Sequence, residues 1–212
     1  MKKFLVLIVA CAAIYQYKPE WIPFLDPGVG FASDGNAQTI MFTFNECATP
    51  CDKAINDLQE RGVDFQLINV NDSEENMAIW RDLKAPNSFP LIVAGSERSY
   101  SDATGEIASV LAVNFGDKYL TSEEMELFER HFNSDGSDKV IMYGASWCPY
   151  CKKMREYFAE NNIDYEEIDV EKASNKEQLI RALSISGYPV TYIGYHRVEG
   201  MNPKKISKLV GS

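Results

Sequence analysis

What most narrows the architecture open to this chain is one local order of elements. The apolar, β-rich run Val140-Ile141-Met142-Tyr143 leads to Trp147-Cys148-Pro149-Tyr150-Cys151, and a helical stretch follows. A strand that stops at C-x-x-C and opens into a helix puts the first cysteine beside unpaired backbone N–H groups and the positive end of the helix dipole. Both favour thiolate over thiol at Cys148, and the thiolate is the nucleophilic form. Cys151 lies one helical turn further on, within reach to resolve a mixed disulfide formed at Cys148. The pattern points to thiol–disulfide exchange.

Blander readings of the two cysteines are weaker. A structural disulfide accounts for the pair but not for its setting between strand and helix. Zinc needs further ligands, and the only histidines, His131 and His196, are not in ligand spacing with the pair. No metal site is expected.

Residues 139–212 resemble a glutaredoxin-family domain of the thioredoxin fold. The resemblance rests on Cys148-Pro149-Tyr150-Cys151 and on Gly187-Tyr188-Pro189-Val190-Thr191, whose proline lies 38 positions beyond Cys151. It implies that Pro189 is cis, opens the third strand and faces the cysteines. The backbone of Tyr188 would then be free to pair with a substrate strand. Tyr150, Tyr188, Pro189 and Gly200 are the implied contacts for glutathione or a substrate strand. Glutathione-binding members usually carry Gly-Gly and an acidic or hydroxyl residue after the fourth strand, where this chain has Glu199-Gly200-Met201-Asn202-Pro203. The lysine common before the motif is also absent, with Ala145-Ser146-Trp147 in its region. A protein dithiol is therefore at least as good a partner as glutathione, which stays open as a co-substrate. A thioredoxin-reductase-type donor is the other candidate partner, and no resident cofactor is expected.

The plan occurs twice. Thr39–Phe44 reads as a strand, Cys47-Ala48-Thr49-Pro50-Cys51 follows, and a helical stretch runs to about Glu60. A second strand at Asp64–Val70, a helix at Glu74–Leu83 and an apolar run from Ser88 through Pro90 to Val93 complete the series. The later copy repeats it with Tyr165–Val170, Asn175–Leu183 and Pro189–Gly194. Cys47 to Pro90 spans 43 positions and Cys148 to Pro189 spans 41, so Pro90 stands where Pro189 does and a tandem repeat follows.

The first copy departs at its cysteines. C-x-x-x-C is one residue longer, although positions i and i+4 of a helix share a face and a disulfide stays open. Pro50 predicts a later helix start than in the second copy. Glu46 beside Cys47 opposes a thiolate, whereas Trp147 beside Cys148 carries no charge. Cys47 and Cys51 join the candidate catalytic set with two readings: a second redox pair, or part of a degenerate domain that packs, positions its partner or binds clients.

Met1-Lys2-Lys3 followed by the uncharged run Phe4–Tyr17 resembles a signal peptide or signal anchor over residues 1–20. The run is short for a spanning helix, which needs about 17–25 residues. Cys11 within it reads as a small hydrophobe. An anchor would leave the folded part on the non-cytoplasmic, periplasmic-type side, touching membrane only through this segment. The net charge of −10 argues against nucleic acid as a partner.

The expected architecture is α/β: two tandem thioredoxin-like domains of glutaredoxin type, each a mixed sheet flanked by helices. A degenerate domain spans 37–133 and a CPYC domain spans 138–212, with the polar run Asn133–Asp138 as a flexible linker. The expected activity is dithiol exchange on protein disulfides or glutathione mixed disulfides. The competing reading is a membrane-tethered binding or scaffold protein without turnover.

Overall fold

The computed structural model describes residues 28–211, so the apolar N-terminal run and Cys11 lie outside the described residues. The first repeat runs β1 (Thr39–Thr43), α1 (Ala48–Glu60), β2 (Phe65–Asn69), α2 (Glu74–Asp82), β3 (Leu91–Ala94), β4 (Glu97–Ser99) and α3 (Thr104–Phe115). A bridging helix, α4 (Ser122–Phe128), follows. The second repeat runs β5 (Val140–Gly144), α5 (Pro149–Glu160), β6 (Glu166–Asp169), α6 (Lys176–Ala182), β7 (Val190–Ile193), β8 (His196–Glu199) and α7 (Pro203–Val210).

Each repeat builds one four-stranded mixed sheet, in the orders β2-β1-β3-β4 and β6-β5-β7-β8. The inner strand pairs in parallel with the strand after its helix and antiparallel with the third strand, which turns back into the fourth. With helices on both faces, these are two thioredoxin-like domains.

The inner strands β1, β3, β5 and β7 are buried along their whole length and largely apolar because both faces are covered, whereas the outer strands carry polar and charged residues. In β1, Ile40 and Phe42 pack with Trp80 of α2, while Met41 points to Ala54 and Leu58 of α1 and to Ile107 and Leu111 of α3. In β5, Met142 meets Met154 and Phe158 of α5 and Ile206 of α7, while Ile141 and Tyr143 face Leu179 of α6. Strand β4 and helix α7 had no place in the sequence reading. Helix α7 begins on Asn202, whose side chain accepts the Lys205 N–H at 3.1 Å, with Pro203 in the first turn.

The segment expected as a flexible linker is a closed turn. Asn133 N–H donates to Ser137 O at 2.8 Å and Gly136 N–H to Asn133 O at 2.9 Å, while Phe132 bridges Asp138. The same turn opens the first repeat: Ala32 N–H donates to Asn36 O at 2.9 Å, Gly35 N–H to Ala32 O at 2.9 Å, and Phe31 bridges Ala37. Gly35 and Gly136 both sit at φ +83°, a conformation that glycine adopts without steric cost. The signal was present in the chain as Ser33-Asp34-Gly35 and Ser134-Asp135-Gly136.

The two domains are packed together through α3 and α4. Ala108 of α3 with Leu127 and Phe128 of α4 enter the core on the α6 side of the second sheet. Phe128 meets Tyr192 edge-on at 5.4 Å, and His131 stacks on the same ring at 4.5 Å. The Gly105 N–H donates to Ser184 Oγ at 2.8 Å, and Ser109 Oγ donates to the Tyr195 carbonyl. Among the described residues, no helix is long and apolar enough to cross a membrane.

Candidate active site

Strand β5 ends at Gly144, and the chain turns through Ala145-Ser146-Trp147 into α5. Asp169, at the end of neighbouring β6, holds this turn by accepting the Ser146 N–H at 3.2 Å. Cys148 is the N-cap of α5 with Pro149 just inside the helix, where its missing N–H costs no hydrogen bond. The Cys148 sulfur accepts the Cys151 N–H at 3.1 Å, so one otherwise unpaired helix-start donor points at it. Its thiol lies 3.6 Å from the Tyr188 carbonyl.

Cys148 is only 4% exposed and Cys151 fully buried, both as free thiols. Burial pushes the Cys151 thiol up to about 12, reinforced by its hydrogen bond with the Cys148 sulfur. The cover is aromatic. Trp147 and Tyr150 remain 68% and 58% exposed on either side of Cys148, and Trp147 meets Tyr188 edge-on at 6.1 Å. The Tyr188 hydroxyl donates to Glu171 at 3.1 Å, and burial followed by this carboxylate raises its pKa to about 12.

The Tyr188–Pro189 peptide bond is cis, which brings the Tyr188 carbonyl to the cysteine. Pro189 opens the way into β7, and its own carbonyl accepts the Gly200 N–H at 2.8 Å, with Gly200 at φ +62°. Fold and chain turn thus gather Cys148, Cys151, Trp147, Tyr188 and Pro189 at one end of the sheet. Tyr150 stands on the open face of α5 with Lys153 above its ring.

In the first repeat, Cys47 and Cys51 are joined in a disulfide with 5.6 Å between their Cα atoms, within the ordinary range. Both are buried. Helix α1 begins at Ala48, immediately after Cys47, so the later start expected from Pro50 does not occur. Pro50 is the third helical residue, and first-turn N–H groups have no acceptor within the helix. The Phe89–Pro90 bond is also cis, with Phe89 in the place of Tyr188. Phe44 and Glu46 stand where the second repeat has Ala145 and Trp147.

One pair at the second site went unforeseen. Arg155 of α5 and Glu167 of β6 form a two-point ion pair at 2.8 and 2.7 Å behind Cys151. No local motif links them; adjacency of helix and strand does.

A free vicinal dithiol at a helix start, facing a cis-proline loop at the end of a thioredoxin-like sheet, defines the class of thiol–disulfide oxidoreductases. Residues 140–198 match the family model described as Glutaredoxin. The chain is 36% identical over 72 residues to an "Uncharacterized glutaredoxin-like 8.6 kDa protein in rubredoxin operon" of Clostridium pasteurianum, covering 34% of this chain and 96% of that protein. It is 29% identical over 62 residues to a glutaredoxin of Pseudomonas aeruginosa, covering 29% of this chain and 74% of that one. Among solved structures, a glutaredoxin from Archaeoglobus fulgidus is 32% identical over 35% of this chain and 87% of its own, with a TM-score of 0.31. The chain belongs to the glutaredoxin family.

Proposed function

We propose that the protein catalyses dithiol exchange at Cys148 and Cys151 on protein disulfides or glutathione mixed disulfides. The observation that carries this reading is the Cys148 sulfur at the α5 N-terminus, accepting a backbone N–H, with a second free thiol one turn behind it. The Cys148 thiolate attacks one sulfur of the substrate disulfide, and the other sulfur leaves as a thiolate. Cys151 then attacks the Cys148 sulfur, the intramolecular disulfide forms, and the remaining substrate thiolate departs. Two electrons pass to the substrate in the round. A thiol donor, glutathione or a thioredoxin-reductase-type protein, restores the dithiol. Tyr188 and Pro189 offer the substrate strand its backbone partners, with Tyr150 and Gly200 at the margins of that groove. The Lys2-Lys3 pair ahead of an apolar run supports placing the folded part outside the cytoplasm, tethered or exported.

Single-cysteine variants test the assignment. Cys151→Ser should accumulate mixed disulfides when mixed with disulfide-bonded insulin or glutathione disulfide, and Cys148→Ser should not. Faster alkylation of Cys151 than of Cys148 at neutral pH would overturn the roles.

A further inference from the structure

The two repeats act as controls for one another. In β5, Met142 has Glu167 as its parallel neighbour; in β1, the matching Met41 has Leu67. Four residues after the second cysteine, α5 carries Arg155 and α1 carries Ile55. An arginine–glutamate pair therefore stands behind the free dithiol, and an isoleucine and a leucine hold the same places where the cysteines are joined.

The pair is fastened to the reactive turn. Arg155 Nη2 donates to the Ala145 carbonyl at 3.2 Å, the carbonyl that also accepts the Cys148 N–H at 3.1 Å. Gly144 supplies the opening toward Cys151. A Cβ there would lie 3.2 Å from the Cys151 sulfur and 3.3 Å from Glu167 Oε1, so thiol and carboxylate face one point. The first repeat has Thr43 at that register position. The Arg155 and Glu167 side chains keep 29% and 24% of their surface in water, so the pair is not sealed from solvent.

Other ionisable groups around Cys151 are less suited to accept its proton. Cys148 is the sulfur under attack, and Tyr165 and Tyr188 are phenols whose pKa values burial raises. Asp169 is turned to Ser146 and Lys172 and Glu171 to Tyr188 and Lys176, whereas Glu167 is the carboxylate that shares the Gly144 opening with the Cys151 sulfur.

We propose that Glu167, positioned by Arg155, takes the proton from Cys151 when the mixed disulfide is resolved. The inference rests on the dithiol reading above. The Cys151 S–H bond breaks and its proton passes to the Glu167 carboxylate. The resulting thiolate bonds to the Cys148 sulfur while the bond from Cys148 to the substrate sulfur breaks. That sulfur leaves with the electron pair and collects the proton from Glu167. The protein dithiol is oxidised and the substrate disulfide reduced by two electrons. A thiol held as high as Cys151 needs such an acceptor near neutral pH.

Stopped-flow reaction of the reduced full chain, with Cys11, Cys47 and Cys51 replaced by serine so that only Cys148 and Cys151 report, with one equivalent of Ellman's reagent separates the steps. Attack by Cys148 releases the first coloured thiolate, and attack by Cys151 on the mixed disulfide releases the second. Glu167→Gln should slow the second phase by about 10²-fold at neutral pH, with its rate recovering as pH rises, and leave the first phase at its parental rate. Glu167→Asp should restore part of the second phase. A parental rate and pH profile in the second phase, or equal slowing of both phases, would overturn the proposal. Absence of a first phase in the parent protein, or its persistence in Cys148→Ser, would instead sink the dithiol reading. Should E167Q not fold, the combination Arg155→Ile with Glu167→Leu, which copies the first repeat, poses the same test.

Discussion

Arg61, at the end of α1, meets Glu124 of α4 in a two-point ion pair, 2.7 Å at each contact, with the side chains 2% and 3% exposed. The same guanidinium binds Asp57 at 2.8 Å, the Tyr119 carbonyl at 2.9 Å and the Thr104 hydroxyl at 2.6 Å. Glu124 meanwhile accepts the Thr121 N–H and closes the capping box of α4. One side chain thus ties the first helix to the two that carry the domain interface.

Arg61→Ala should cost about 3–5 kcal/mol, because Glu124 is left buried without its counter-charge. Urea unfolding of the full chain reads this directly. A loss below about 1 kcal/mol, the range of exposed pairs, would show that the network is not fastening α4.

Gly105→Ala tests the fit between the domains. A Cβ at Gly105 would lie 2.4 Å from the Leu183 carbonyl carbon, closer than a real contact allows, and the obstacle is backbone. Overpacking of this kind costs about 1–3 kcal/mol, and α3 must withdraw from α6. The expected outcome is a lower unfolding midpoint together with faster proteolysis between residues 116 and 138. An unchanged midpoint and cleavage pattern would contradict the close approach.

His131 gives the fold a pH dependence of definite sign. It is buried between Phe128 and Tyr192 and shares a hydrogen bond of 2.9 Å with the Tyr143 hydroxyl. Burial lowers its pKa from 6.5 to about 3, against a backbone hydrogen bond at Gly194 and with help from the charges of Arg130 and Lys139. The unfolded chain therefore takes up a proton that the folded chain refuses. Its contribution is complete above pH 6.5 and is lost as pH falls toward 3, by about 1.4 kcal/mol per pH unit. His131→Phe should flatten this part of the stability profile in denaturant titrations. A slope unchanged by the substitution would rule His131 out.

The division of labour between the repeats has its own test. Replacing both Cys47 and Cys51 by serine should lower stability by about 2 kcal/mol, the value for so short a closed loop, and leave insulin reduction near the parental rate. Replacing Cys148 and Cys151 should abolish the reduction. If the first pair of substitutions removes activity at a temperature where the protein is folded, the first repeat is part of the catalytic path.

Much of this architecture was local and therefore legible in the chain. The strand–CPYC–helix order depends on neighbouring residues: β-branched apolar positions for β5, an N-capping cysteine and Pro149 for the start of α5. The repeat was legible because each sheet needs the same series of buried strands and covering helices. Where the reading failed, a short-range rule was given too much weight. Pro50 does not delay α1, because a first-turn N–H is unpaired in any case. The polar run at 133–138 is not slack chain, because Gly136 at positive φ lets it close on itself. Sequence alone thus determined which cysteines stand at the strand-to-helix turn and which series of elements surrounds them. Only the tertiary structure decided that α3 and α4 join the two domains, that Arg61 reaches Glu124, and that Glu167 faces Cys151. Those contacts join residues many positions apart, and they form only when the packing of apolar faces has fixed where each helix lies.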